Sequence, residues 1–425
     1  MKRIVILGGG TYAPVRNHLS LCAPAFGTTA KQLHKMFEQE LARTGQSDQY
    51  QVEHVLTRMA DPSSKLETNE DVAAYVDTLV ADLSVRCIVF NVALVDYECQ
   101  VGDVPSGKHA ERLQTAAGPV QMTLTPSEKV IGRIRRARKD IFVVGFKTTT
   151  MASPDEQYAR ALSLLKTNSL NLVLANDTGT RHNLIAAPEE TRYMPTPDRQ
   201  DVLEFLTRMT VSRMGNHFTR STVVEGEAVA WDSDAVPANL REVVNHCISE
   251  GAYKPVQGKT AGHFAVKVSD GEILTSIRKT NFNKLPDIGL VRVESRNADE
   301  VVAHGFRPSV GGQSQRIIFN EHPELDCIVH FHCPVKEDAP LRSAIPVHPQ
   351  WPNECGSHEC GQATSRSLQP VDLGDGHALS VVFLDDHGPN IVFDRTTPAH
   401  KVRKFIDANF DLRAKTGGLA ATMAH

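Results

Sequence analysis

Two different patterns of apolar positions run along this chain. Over residues 1–215, short apolar runs at 4–7, 50–56, 87–94, 141–146 and 170–175 predict strands. Between them, amphipathic stretches at 28–42, 69–83, 128–138, 154–166 and 198–214 predict helices. Regular alternation of this kind builds βαβ units around a mainly parallel sheet. Ligands on such sheets sit at the carboxyl ends of the strands. Those ends carry Gly8–Thr11, Asn91–Tyr97, Phe146–Thr150 and Asn176-Asp177, so small, polar and flexible groups are expected on one rim.

Residues 216–236 are polar and acidic without periodicity and read as a linker, and Pro237 opens a second region. There the pattern predicts helices at 240–250, 313–321, 361–369 and 398–414. Shorter strands are predicted at 263–268, 290–293, 327–332, 379–383 and 391–393. The expected organisation is a domain over 1–215, a linker, a domain over 237–415, and a flexible tail over 416–425. A length of 425 residues agrees with two or three domains.

Composition narrows the function classes. Hydrophobic residues make up 41% and charged residues 23%, the balance of a globular chain. A formal net charge of −4 leaves no basic excess to displace counterions from phosphates, so no nucleic-acid partner is expected. The apolar runs are strand-sized, short of the ~20 residues that span a bilayer, and no membrane partner is expected. The N-terminus lacks the long apolar region of a signal peptide, which predicts a cytoplasmic chain with its eight cysteines reduced.

The glycine run Gly8-Gly9-Gly10-Thr11 follows a strand, where backbone N–H groups can approach an anion. It lacks the spacing of the common dinucleotide and P-loop signatures. Its companions are Val15-Arg16, Gly27, Asn91-x-Ala-x-x-Asp96-Tyr97, Lys108, Gly145-Phe146-Lys147-Thr148-x-Thr150 and Asn176-Asp177. In order and spacing this set resembles the phosphopantothenoylcysteine synthetase (phosphopantothenate–cysteine ligase) family over about residues 2–215. The resemblance implies a Rossmann-like nucleotide fold that activates a carboxylic acid with CTP or ATP and Mg²⁺, then passes the acyl group to an amine. It places Gly9, Gly10, Thr11, Arg16, Asn91, Asp96, Lys108, Phe146, Lys147, Asn176 and Asp177 at the nucleotide. Lys108 falls at the triphosphate and Asp96 in the nucleotide and metal region, both as catalytic residues. Cations there neutralise crowded phosphate charge. Between Arg16 and Gly27 the family's Asn-x-Ser-Ser-Gly-like segment has changed, so the acid is expected to differ from phosphopantothenate.

In the second half, Asp326-Cys-Ile-Val-His330-Phe-His332 ends a strand-like run, and residues i and i+2 of a strand share a face. His387, after another apolar run, can add a third imidazole. Three histidines with an open position suit zinc or another divalent ion. Cys355 and Cys360 could add a thiolate. The order Gly262, Pro308-Ser309, Pro323 to His332, Gly356-Ser357-x-Glu359 and Asp386-His387-Gly388 resembles the class II aldolase and adducin-head family over about residues 237–412. That resemblance implies an α/β/α sandwich around a mainly antiparallel sheet, with His330, His332 and His387 as metal ligands. The family's catalytic glutamate follows Pro-Ser-Ser, whereas this chain reads Pro308-Ser309-Val310-Gly311-Gly312-Gln313, and Gln313 cannot titrate. Glu359 is a substitute acid/base, or else a carboxylate at a helix N-terminus. His263, where the family more often has asparagine, reads as a surface histidine, with substrate binding as its alternative.

The two resemblances together imply a bifunctional metabolic enzyme, a ligase fused to a class II aldolase-like lyase. Its partners would be a small acid, an amine and a hydroxy-carbonyl compound, and it would form a homo-oligomer, dimer or tetramer. The alternative is a coenzyme A biosynthetic ligase carrying an adducin-like scaffold without metal chemistry.

Overall fold

The computed structural model describes residues 1–416, so all but the first residue of the expected tail lies outside the described residues. The chain forms two compact units. One comprises Met1–Ala187 and Met194–Met214, the other Pro188–Tyr193 and Gly215 onward. The sequence-expected linker 216–236 therefore lies in the second unit, where Arg220–Val224 forms an edge strand paired with Glu300–His304.

The first unit is a seven-stranded sheet. Lys2–Gly10 lies between Tyr50–Leu56 and Val85–Ala93, followed by Phe142–Thr149 and Leu172–Asp177, all parallel. Asn183–Ala186 then pairs antiparallel. Ile4 to Leu7, Cys87 to Phe90 and Phe142 to Val144 are buried, as strands covered on both faces must be. Helix starts are fixed locally. Thr68 and Asp71 form a capping box before Asn69–Ala81, Ser153 caps Pro154–Asn168, and Asp198 caps Arg199–Arg213. Because the five strands are parallel, their carboxyl ends share one edge. Gly8 lies beside Asn91, Thr148 beside Asn176, and Thr149 beside Asp177.

The second unit is built on a ten-stranded, mainly antiparallel sheet. Its centre runs Glu272–Ser276, His263–Ser269, Cys327–His330, Gly388–Phe393, His377–Leu384. Strand alternation sorts its residues into two cores. Phe264, Cys327, Val329, Phe331 and Phe393 pack with helices Ala238–Ser249 and Ala399–Asn409, through Leu240, Val243, Val402 and Phe405. Ala265, Ile328 and Val392 pack on the other face with Ile318 and Phe319 of helix Gly312–Glu321. Both units are α/β, one around a parallel sheet and one an antiparallel sheet with a helix-backed core on each face. No helix among the described residues is long and apolar enough to cross a membrane.

Candidate metal centre and the strand-end rim

Val329 and Phe331 belong to one core and Ile328 to the other, so the alternation sends His330 and His332 to the face of Ile328. His387 reaches them from the turn between His377–Leu384 and Gly388–Phe393, where its N–H donates to Leu384 O at 2.9 Å. All three are buried, at 1%, 7% and 2% exposure. His387 Nε2 stands 3.2 Å from His330 Nε2 and 3.1 Å from His332 Nε2.

Second contacts fix two of the ring tautomers. His330 Nδ1 is 2.8 Å from Pro389 O, a carbonyl that can only accept, so Nδ1 carries the proton and Nε2 a lone pair. Gln350 Nε2 donates to Asn353 O at 2.7 Å, which turns Gln350 Oε1 toward His387 Nδ1 at 3.1 Å. His387 Nδ1 therefore donates and its Nε2 also holds a lone pair. Two acceptor nitrogens 3.2 Å apart cannot bond to each other, and they repel unless a cation lies between them. Ligands about 2.0–2.1 Å from a tetrahedral ion stand roughly 3.3 Å apart, so this donor set fits a divalent metal. Burial lowers the His330 pKa to about 4, which keeps that ring neutral, the form a metal needs.

Around this centre, Thr191 Oγ1 donates to Asp386 O, and Thr416 N donates to His332 O at 3.0 Å. Lys415 and Glu190 form a buried ion pair. Thr191 and Glu190 come from Pro188–Tyr193, the segment of the first half of the chain that belongs to this unit.

The other expected residues are placed differently. His263 is only 5% exposed, so the surface reading is corrected. It opens a strand in register with His330, with ring centroids 4.7 Å apart. Gln313 Oε1 accepts from Thr219 Oγ1 and, at 2.9 Å, from Arg316 Nη1. Glu359 accepts from His217 N at 3.0 Å and pairs with His217 Nδ1 at 2.7 Å. Burial pushes the Glu359 carboxyl up, but the His217 bonds hold it below the usual range. Both of its oxygens are thus engaged in holding His217 at the start of helix His358–Ser367. Cys360 Sγ lies 3.7 Å from Gln350 Nε2, and burial raises its pKa, so it remains a thiol. Among the described residues the metal-competent group contains the three histidines and no cysteine. Gln350 and Gln315 carry no motif; each becomes visible only when distant segments meet.

On the first unit's rim the strand ends gather Gly8–Gly10, Asn91, Phe146-Lys147 and Asn176-Asp177. Here the chain uses many of its own groups. A Cβ on Gly9 would stand 2.2 Å from Thr57 Oγ1, and one on Gly10 would stand 1.9 Å from Ala23 O, so close packing of the chain itself requires these glycines. Thr11 Oγ1 donates to Asn69 Oδ1 at 2.7 Å, and Arg16, 3% exposed, donates to Val15 O and Val101 O. Asp177 accepts six hydrogen bonds, from Thr149, Met151, Ala152, Gly179 and twice from Thr180. Those donors, Thr180 N–H foremost, hold its carboxyl well below the usual range. Asn91, Phe146, Lys147 and Asn176 are half-buried. Lys108 pairs with Glu67 at 2.7 Å and Asp96 with Lys129, both on the surface. Glu67 O accepts from Tyr12 N at 2.9 Å, so the Lys108–Glu67 pair is tied to the residue that follows Gly8–Thr11.

No protein-family model and no curated protein matches the sequence. Solved structures give partial likenesses. The DNA/pantothenate metabolism flavoprotein of Streptococcus pneumoniae is similar at 17% identity over 48% of this chain and 96% of its own, with a TM-score of 0.39. Escherichia coli YgbL, named for aldolase, epimerase or decarboxylase chemistry, is similar at 16% identity over 40% and 85%, with a TM-score of 0.29. An L-fuculose 1-phosphate aldolase is similar at 12% identity over 40% and 80%, with a TM-score of 0.28.

Proposed function

We propose that this chain is a two-part metabolic enzyme whose second unit is a divalent-metal centre acting on a small hydroxy-carbonyl compound by lyase or epimerase-type chemistry. The observation that carries the reading is the pair of acceptor nitrogens, His330 Nε2 and His387 Nε2, fixed 3.2 Å apart by Pro389 O and Gln350. His330, His332 and His387 would hold the ion, zinc by the preference of three neutral imidazoles. When bound, the ion polarises a substrate carbonyl. Gln350 and Pro389 O keep the ring protons of His387 and His330 away from the ion, and burial keeps the His330 imidazole neutral.

The first unit is read as a nucleoside-triphosphate-dependent ligase that activates a carboxylic acid and passes it to an amine. The gathered strand ends and Lys108, tied through Glu67 to the residue after Gly8–Thr11, support this, and Mg²⁺ with CTP or ATP is the cofactor set. The assembly is read as a homo-oligomer. A second reading, a ligase with a scaffold domain, is favoured by one fact alone: no carboxylate follows Pro308-Ser309-Val310.

Metal analysis of the purified chain before and after zinc loading separates the two. About one ion per chain, lost in His332→Ala, is expected from a metal enzyme. A chain that stays metal-free after loading would leave the scaffold reading. Acid-dependent pyrophosphate release tests the ligase half independently.

A further inference from the structure

The residue after Pro308-Ser309-Val310 is Gly311, and the structure gives a reason for its lack of a side chain. Its backbone lies at φ −66°, ψ −6°, which any residue adopts, so no conformational demand selects glycine here. The demand is steric. A Cβ on Gly311 would stand 2.1 Å from His263 Cδ2 and 2.3 Å from His263 Nε2. The imidazole of His263 therefore fills the space that a side chain at 311 would enter. The two positions exclude each other.

His263 is also held in a defined state. It sits on the strand beside the metal-ligand strand, its Cα paired with that of His330 and its ring 4.7 Å from the His330 ring. Gln315, fully buried on the helix that Gly311 opens, donates from Nε2 to His263 Nδ1 at 2.9 Å. Nδ1 is then the acceptor, and the ring proton is on Nε2. Among the described residues Nε2 has no hydrogen-bond acceptor, and it is not one of the fully buried atoms without a partner, so in a residue only 5% exposed this N–H keeps its access to a ligand. A donor with no protein partner that can still be reached is free to bond an incoming acceptor.

We propose that His263 replaces a carboxylate at position 311 as the polar group beside the three-histidine centre, with its Nε2–H donating to an anionic oxygen of the substrate, and that Gln315 is its positioning residue. This rests on the metal-enzyme reading above. The exchange changes what the site selects. A carboxylate at this point repels an anionic oxygen and accepts a proton, whereas an imidazole N–H attracts that oxygen. The substrate class that fits is a small 2-hydroxy carboxylate, with two oxygens for the ion and an anionic oxygen for His263.

The test uses the full chain loaded with Co²⁺, whose visible spectrum reports both metal binding and a change of its ligands, titrated with glycolate. Wild type should bind cobalt and respond to glycolate. His263→Ala should keep cobalt and weaken glycolate about tenfold or more, the size of a lost hydrogen bond to a charged group. Gly311→Ala should do the same by displacing the ring, and the double variant should be no worse than either single one, because both changes remove one contact. His263→Gln, which can still present an N–H, should recover most of the affinity. A chain that binds no cobalt would overturn the metal reading and this inference with it. Cobalt bound with equal glycolate affinity in wild type and His263→Ala would overturn the inference alone. So would loss of cobalt in His263→Ala, additive effects in the double variant, or a glutamine variant no better than alanine.

Discussion

The rim of the first unit and the histidine centre of the second are both built from residues that a motif reading singles out, yet they differ in one physical respect. On the rim, Thr11, Arg16 and Asp177 spend their hydrogen-bonding capacity on their own chain, and the glycine run is packed against Thr57 and Ala23. At the centre, lone pairs are aimed at one another by backbone and amide contacts that leave no bond between them. A ligand site is marked by groups whose needs the fold leaves unmet, and by that measure the two regions separate. What the rim offers a ligand is its half-buried fringe, Asn91, Phe146, Lys147 and Asn176, together with surface Lys108.

The largest effect should come from the ligands. His330→Ala or His332→Ala should abolish stoichiometric metal while the first unit's pyrophosphate release persists, as metal analysis and a phosphate-coupled assay would report. Metal retained in both variants would remove the contrast. Next, Gln350→Leu should lower metal affinity about 10- to 100-fold with the three ligands intact, since it frees the His387 ring to turn. A competition titration with a chelator measures this, and unchanged affinity would show that Pro389 O and packing suffice. On the rim, Lys108→Ala should cut acid-dependent pyrophosphate release about tenfold or more by removing charge from the triphosphate. Its ion pair with Glu67 is a surface pair, so stability should change by less than about 1 kcal/mol. A variant that turns over normally would strip Lys108 of its role.

The smallest effect is a matter of pH. The Asp177 carboxyl is held below its unfolded pKa of about 3.9, so its contribution to stability is present above that value and lost as pH falls through the folded one. Asp177→Asn should lower the urea midpoint at pH 7 and flatten its fall between about pH 4 and 2. Parallel pH profiles for the two proteins would assign that fall to other carboxyls.

The sequence carried much of this architecture because buried strands are continuous apolar runs and amphipathic stretches mark the helices between them. Ile4–Leu7, Cys87–Phe90 and the helices expected at 69–83 and 154–166 were all legible. The ribbon of Tyr97–Val101 with Met122–Pro126 was not, because its second strand is exposed throughout and shows no period. Nor were Glu272–Ser276 and Glu300–His304 read as strands, though they complete the second sheet. At the centre, spacing brought His330 and His332 together, while His387 was placed by the apolar run before it. Gln350, Pro389 O and Gln315 were invisible, since each works through a partner 37, 59 or 52 residues away. His263 was misplaced for the same reason: only its pairing with His330 shows that it is interior.

The segment Pro188–Tyr193 has a bearing on how such a chain can be divided. The polypeptide passes from one unit to the other at 187/188, 193/194 and 214/215, three crossings where a simple fusion would have one. A nick or a gene split at residue 215 would leave the second unit without Glu190 and Thr191, and Lys415 buried without its counter-charge. The first product would carry a piece of the second unit, and the second product would not be a whole unit. The two halves are laced rather than joined end to end, so a shorter chain carrying only one of them would have to be re-sewn, not merely cut.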